Sequence, residues 1–317
     1  MEYRTLSIIL GLTALISSCG DEPSPAPSPA DGQPVSFTIG TVTSRTVTND
    51  DNTTEFVAGD RIGIFGEKGA AGANVAFTVG ADGSLQAEAG NGVIYNPAGG
   101  STADFHAYYP YVEGQSGQTV SFTVGADQSS AELFNSSDFM TAVTTGVATG
   151  SEAPVSLIFK HRLAVVQLEV VAPLVGTLQS ASLCNVLGTA VWDRSSDAVT
   201  AAGETASVRM WGRGTGTVTY WAAVPAQDVA KGTRLLTLDF GDEAYAFTTT
   251  APVTLGEGTI KKFRITVGEA GQIVAVSGDL KVNPWVEDSE TIEGSGEIVE
   301  PDPLMPLQDF SSFNPTM

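Results

Sequence analysis

The sequence is short of the side chains on which most catalysis and metal binding depend. It has two histidines and two cysteines, and 15 Lys and Arg stand against 36 Asp and Glu. Two cysteines cannot supply a cysteine-built zinc cluster. A net charge of −21 argues against nucleic acid and an anionic membrane surface as partners. No apolar run reaches the roughly 20 residues that a spanning helix needs. No stretch holds a 3.6-residue period, so a chain of alternating strands and helices is excluded. There is no His-Glu-x-x-His, no Walker loop and no Gly-x-Ser-x-Gly, since Gly114 to Gly117 does not fit the nucleophile elbow. Gly212 to Gly216 lacks the strand before it and the helix after it that a dinucleotide fingerprint requires, and reads as a loop.

What is present is period two. Val35, Phe37 and Ile39 alternate with polar residues, as do Val75, Phe77 and Val79, and Val120, Phe122 and Val124. Glycine, Asn, Asp and Pro punctuate these runs, the pattern of half-buried antiparallel strands. Residues 75–84 and 120–129 are near copies and read as similar strand-turn units within one sandwich. Thr145 to Pro154 is small and polar and marks a boundary. After it comes the longest β-type run, with Val155, Leu157, Phe159 and His161 on one face and a parity change that predicts a bulge or bend near Ala164 to Val166. Shorter strands follow at fairly regular spacing, including Val218 to Val224, Leu235 to Phe240 and Phe263 to Val267. The fold class is therefore all-β, and a length of this order predicts two sandwich domains.

The N-terminus has a different character. Arg4 opens a weakly basic start, Leu6 to Ile16 is apolar, and Leu15-Ile16-Ser17-Ser18-Cys19 follows. This stretch resembles the lipobox of a bacterial lipoprotein. The resemblance implies a signal peptide over residues 1–18, a cut between Ser18 and Cys19, and lipid on Cys19. One acyl chain binds a membrane marginally, whereas two or more anchor stably. Residues 19–34 are a proline-rich tether, stiff and unable to pack. With Cys19 acylated, Cys184 has no disulfide partner and is expected to pack as a small core residue.

Several landmarks then occur in order: Ser44-Arg45-Thr46, Phe56 to Phe65, Phe105-His106-Ala107-Tyr108-Tyr109-Pro110-Tyr111, Phe159 to Ala164, Tyr220 to Gln227, and Val282-Asn283-Pro284-Trp285. Behind a lipobox, they make the chain from Cys19 to about Trp285 resemble the fimbrillin-like lipoproteins of type V pili. The resemblance implies two tandem transthyretin-like antiparallel β-sandwich domains, 35–154 and 155–290. Residues 291–317, acidic and Gly/Pro-rich with weakly alternating apolar residues, read as a flexible or donor-strand tail and depart from the family pattern. The resemblance implies a lipid-anchored outer-membrane or cell-surface address, and possession of other pilus subunits as partners through β-strand exchange, with a host or bacterial surface receptor as a further partner. It also implies a maturation cut at Arg45–Thr46, after which the strand carrying Val35, Phe37 and Ile39 is expelled and a neighbour's strand takes its place. Arg61 is the poorer cut site, because it abuts the strand Ile62 to Phe65. The bland alternative is that Arg45 is a surface turn residue and the first strand stays in place.

No cofactor is expected. His161 shares a face with Phe159 and reads as a core or interface residue, and His106 likewise. Asn49 to Asn52 and Asp239 to Glu243 are acidic enough to hold calcium, but neither has the spacing of an EF-hand loop, and solvated loop charge is the better reading. Trp192, Trp211, Trp221 and Trp285 leave a glycan-binding lipoprotein as the first rival. A hydrolase on a β-scaffold is the second. Exposed aromatics in a shallow cleft favour the glycan reading. An apolar groove filled by Val35 to Ile39 favours strand exchange.

Overall fold

A computed structural model describes residues 34–40, 44–45, 54–68, 70, 72–90, 92, 94, 102–148, 153–171, 177–214, 219–241, 243–267, 273–276, 286–287 and 294–299. In chain order its strands begin with β1 (Phe37–Ile39), β2 (Ser44–Arg45), β3 (Thr54–Glu55), β4 (Arg61–Glu67), β5 (Val75–Val79), β6 (Leu85–Ala87), β7 (Thr102–Tyr109) and β8 (Thr119–Thr123). A short helix α1 (Ala131–Asn135) follows, capped by Ser130, whose hydroxyl accepts from the Leu133 amide. Then come β9 (Met140–Ala148), β10 (Val155–Leu157), β11 (Lys160–His161), β12 (Leu163–Val171), β13 (Ser180–Asp193), β14 (Ala198–Arg209), β15 (Trp211–Arg213) and β16 (Thr219–Pro225). The last are β17 (Gln227–Val229), β18 (Arg234–Asp239), β19 (Ala244–Thr249), β20 (Val253–Leu255), β21 (Thr259–Val267), β22 (Ile273–Val276), β23 (Val286–Glu287) and β24 (Gly294–Val299).

These strands build two apolar clusters. In the first, a sheet in the order β11-β9-β7-β4-β5-β6 is covered by the pair β1-β10. In the second, β15-β16-β12-β21-β22 and β14-β13-β18-β19-β24 face each other around Trp192, Tyr245, Phe247 and Phe263. Strand β7 shows why the clusters touch. Its odd residues Ala103, Phe105, Ala107 and Tyr109 enter the first cluster, while Tyr108 on the other face enters the second. A strand buried on both faces loses the simple apolar–polar alternation of a solvated sheet, and Asp104 and His106 are buried there too. The clusters interleave along the chain. Strand β8 pairs with β13 of the second, whereas β10 pairs with β1 and β11 with β9 in the first.

The all-β class is as expected. Several details differ. Pairing is mostly antiparallel, yet β1–β10, β12–β21, β21–β23 and β2–β3 run parallel. The near copies at residues 75–84 and 120–129 serve different clusters, Val75 and Phe77 in the first and Val120 and Phe122 in the second. No bulge interrupts β12, whose register against β16 runs unbroken from Leu163 to Glu169. The parity change arises because β12 is a central strand with Leu163, Ala164, Val165 and Val166 all buried. Of the expected tail, Gly294–Val299 is a strand at the edge of β19 and the residues after it lie outside the described ones.

Candidate functional site

The site is the groove that β1 fills. Strand β1 lies parallel to β10, with Phe37 opposite Val155, Thr38 opposite Ser156 and Ile39 opposite Leu157. The Val155 amide donates to Ser36 O at 2.8 Å, and the Gly40 amide donates to Leu157 O at 2.9 Å. On the other side, among the described residues, one bridge joins Thr38 to Ser84, and the Val35 amide donates to Ile94 O at 2.9 Å. Alternation aims Val35 and Phe37 inward, where both are buried, and Ile39 packs half-buried at the same cluster. The Phe37 ring meets Phe77 edge-on at 5.3 Å and Phe105 at 5.2 Å. Burying one such side chain is worth about 1.5–3 kcal/mol, and each aromatic contact adds roughly 0.5–1.5 kcal/mol. Phe56 packs half-buried against the same cluster, its ring 4.9 Å from Phe159 and 5.3 Å from Tyr109.

Arg45 follows in β2, which pairs with β3 so that Arg45 lies opposite Glu55. Thr46 lies outside the described residues, as do Ser18, Cys19 and Trp285. Arg61 starts β4 and is held by a bidentate pair with Glu88, both distances 2.6 Å.

A polar junction joins the two clusters. Arg194, buried in the turn after β13, pairs with Glu67, donates to Gly117 O at 2.7 Å and lies 3.9 Å above the Phe65 ring. Asp197 in the same turn accepts from Lys160 Nζ at 2.6 Å and from Trp192 Nε1 at 2.9 Å. Arg162, almost fully buried, reaches the Asp197 backbone oxygen and pairs with Glu257 at 2.9 Å. Burial pushes the Asp197 carboxyl up, but the bonds from Lys160 and Trp192 outweigh it and hold it below its ordinary value. Burial pushes Glu257 up, opposed in part by Arg162. His106 sits beside Trp192, ring centres 6.0 Å apart, and its Nδ1 lies 3.7 Å from the Glu67 carboxylate with no hydrogen-bond partner among the described residues. Burial pushes its pKa down, which favours the neutral imidazole. His161 is buried on the face of Phe159, with Asp138 3.0 Å from its Nδ1. That pairing spans 23 residues and had no signal in the sequence.

The remaining expectations resolve residue by residue. Cys184 is buried against Thr237, 3.4 Å away. Tyr220 and Trp221 are both buried, because β16 is covered on both faces. Trp192 is fully buried, and Trp211 is half-buried with the Arg213 guanidinium 5.3 Å from its ring. The loop expected at Gly212 begins inside a strand, since Trp211–Arg213 is β15 and pairs with β16. In the loop after Asp239, Gly241 donates to Asp239 and Tyr245 to Glu243. Among the described residues no group of acids, His and Cys could hold a metal ion, and no helix is long and apolar enough to cross a membrane.

One feature of the groove escaped the sequence reading. Val35-Ser36-Phe37-Thr38-Ile39-Gly40 recurs as Val75-Ala76-Phe77-Thr78-Val79-Gly80 and Val120-Ser121-Phe122-Thr123-Val124-Gly125. A three-way comparison of the strands, each extended through its closing glycine, would have found it.

A family model for fimbrillin-like proteins matches residues 44–285, more than half of the chain. Among solved structures, the chain is similar to a candidate cell adhesion protein from Bacteroides ovatus ATCC 8483, at 22% identity and a TM-score of 0.58, over 85% of this chain and 99% of that one. It is also similar to a candidate cell adhesion protein from Bacteroides uniformis ATCC 8492, at 21% identity and a TM-score of 0.55, over 84% and 97% of the two chains. At these identities the likeness is one of fold. No curated protein matches the chain.

Proposed function

The chain belongs to the fimbrillin-like family, and from that premise we propose that it is a non-enzymatic cell-surface protein, a fimbrial subunit or pilus-associated adhesin that assembles by β-strand exchange. Cys19 carries lipid and holds the precursor at the outer membrane, with residues 19–34 as the spacer. A protease cuts at Arg45–Thr46, β1 leaves with the lipid, and a partner subunit's strand enters the groove. The folded part forms two β-sandwich units, divided by core rather than by chain position. The partners are other pilus subunits and a receptor on a host or bacterial surface.

The observation that carries this reading is the way β1 is held. Among the described residues, its three residues pair along one side to β10 and by a single bridge on the other, and they close a core that contains Phe77 and Phe105. Removing β1 opens an apolar slot flanked by unpaired main-chain groups, the arrangement that β-strand addition uses. The glycan reading has no comparable support: among the described residues the exposed large apolar side chains are Val57, Leu133 and Ile158, none of them aromatic.

The test is limited digestion of the purified full chain with an arginine-specific protease, followed by size exclusion and mass spectrometry. One early cut after Arg45, with the N-terminal fragment leaving a folded remainder, is expected. First cuts elsewhere, or a fragment that stays bound after the cut under every mild condition, would sink the exchange reading.

A further inference from the structure

We propose that the groove of β1 selects a partner segment of the pattern aliphatic-x-Phe-x-aliphatic-Gly, and that this segment comes from a different protein rather than from a second copy of this chain. The inference rests on the strand-exchange reading and goes on to name what enters.

The resident strand states the pattern. Val35 and Phe37 are buried and Ile39 is half-buried, so the first three inward positions are apolar with an aromatic at the centre. The centre position requires phenylalanine because its ring stands edge-on to both Phe77 and Phe105. A smaller side chain leaves a void that those two rings cannot collapse into. The glycine position is set on the outer face. A Cβ at Gly40 would stand 2.5 Å from Ser156 Oγ and 3.1 Å from Ile158 Cγ1. The serine hydroxyl can turn aside, but Ile158 must also shift, and a β-branched residue there meets both. The same position still has to deliver its amide to Leu157 O.

This chain holds 14 phenylalanines, and the full pattern surrounds Phe37, Phe77 and Phe122 alone. The copy at Phe77 is β5, buried between β4 and β6, and the copy at Phe122 is β8, whose Val120, Phe122 and Val124 are built into the second cluster. A second copy could donate either strand only by breaking its own core, and the third carrier, Val35 to Gly40, has left any copy that has itself been cut after Arg45. The apolar residues near the end of the sequence, Leu304, Leu307, Phe310 and Phe313, do not reproduce the pattern, since Gln308 and Ser312 flank Phe310. The recurrence of the hexapeptide in three strands also makes β8 a ready mimic of the incoming segment.

The experiment uses the full chain cut once after Arg45 and labelled peptides read by fluorescence anisotropy. Peptides covering residues 34–41 and 119–126 are expected to bind within a few fold of each other. The 34–41 peptide carrying Phe37→Ala should bind about a hundredfold weaker or worse, and the one carrying Gly40→Val about tenfold weaker. The cut chain alone should stay monomeric by light scattering. Equal binding of the altered peptides, or polymer formation by the cut chain alone, would overturn the selectivity while leaving strand exchange standing. If the N-terminal fragment never leaves and no peptide binds, the exchange reading falls and the selectivity falls with it.

Discussion

Replacing Phe37 by alanine tests how firmly the first strand is held. The side chain is buried between two rings, and Phe→Ala in a core typically costs about 3–5 kcal/mol. Here the loss has a ceiling. Once the cost exceeds what docks β1, the strand detaches and further changes in it add nothing. Phe37→Ala is therefore expected to lower stability by roughly 3 kcal/mol, and Val35→Ala added to it by less than about 0.5 kcal/mol. In urea, with m near 1–3 kcal/mol/M, the midpoint of the affected transition falls by roughly 1–3 M. Far-ultraviolet circular dichroism follows it. Tryptophan fluorescence in a Trp285→Phe background serves as the internal control, because Trp192 and Trp221 belong to the second cluster and Trp211 packs against it. Its midpoint should move far less. A loss below about 1 kcal/mol, or a tryptophan transition that shifts equally, would refute the claim that Phe37 anchors a separately removable strand.

Other perturbations separate the junction from the surface. His106 is held neutral by burial, so its folded-state pKa lies below the ordinary value of 6.5. As pH falls through that value the unfolded chain takes up the proton first, and stability drops by up to about 1.4 kcal/mol per pH unit until the folded value is reached. The difference in stability between wild type and His106→Gln, measured from pH 7.5 to 5, should therefore shrink as pH falls. Arg194→Ala breaks the ion pair with Glu67 at the junction, where the Arg194 side chain is 8% exposed, and should cost more than about 2 kcal/mol. Arg61→Ala removes a pair whose arginine side chain is 49% exposed and should cost less than about 1 kcal/mol. Chemical denaturation of both variants checks the contrast.

What could be read in the sequence was local. Alternation at Val35, Phe37 and Ile39, and again around Phe77 and Phe122, located strands and their inward teeth without any knowledge of partners. Partner choice is long-range and left no such mark. Nothing local distinguishes a strand that will pair parallel, as β1 does with β10, or places β5 and β8 in different cores although their sequences nearly coincide. Central strands misled for a related reason. Around Ala164 to Val166 both faces are buried, so parity lost its meaning and mimicked a bulge. The polar junction was equally hidden, since Arg162 meets Asp197 and Glu257, and Arg194 meets Glu67, only through contacts distant in sequence. The groove was legible as an apolar first strand; the requirement for glycine at its exit needed the positions of Ser156 and Ile158.

Hydrogen exchange at β10 addresses the central claim most directly. In the uncut chain the Val155 amide is bonded to Ser36, and it and its neighbours in β10 should exchange slowly. After the cut at Arg45 these amides should become fast, while β7 and β12 keep their protection, and a peptide of residues 34–41 should restore the slow rate. Protection at Val155 that is unchanged when the N-terminal fragment has left would mean that β1 does not close the groove, and would contradict the account.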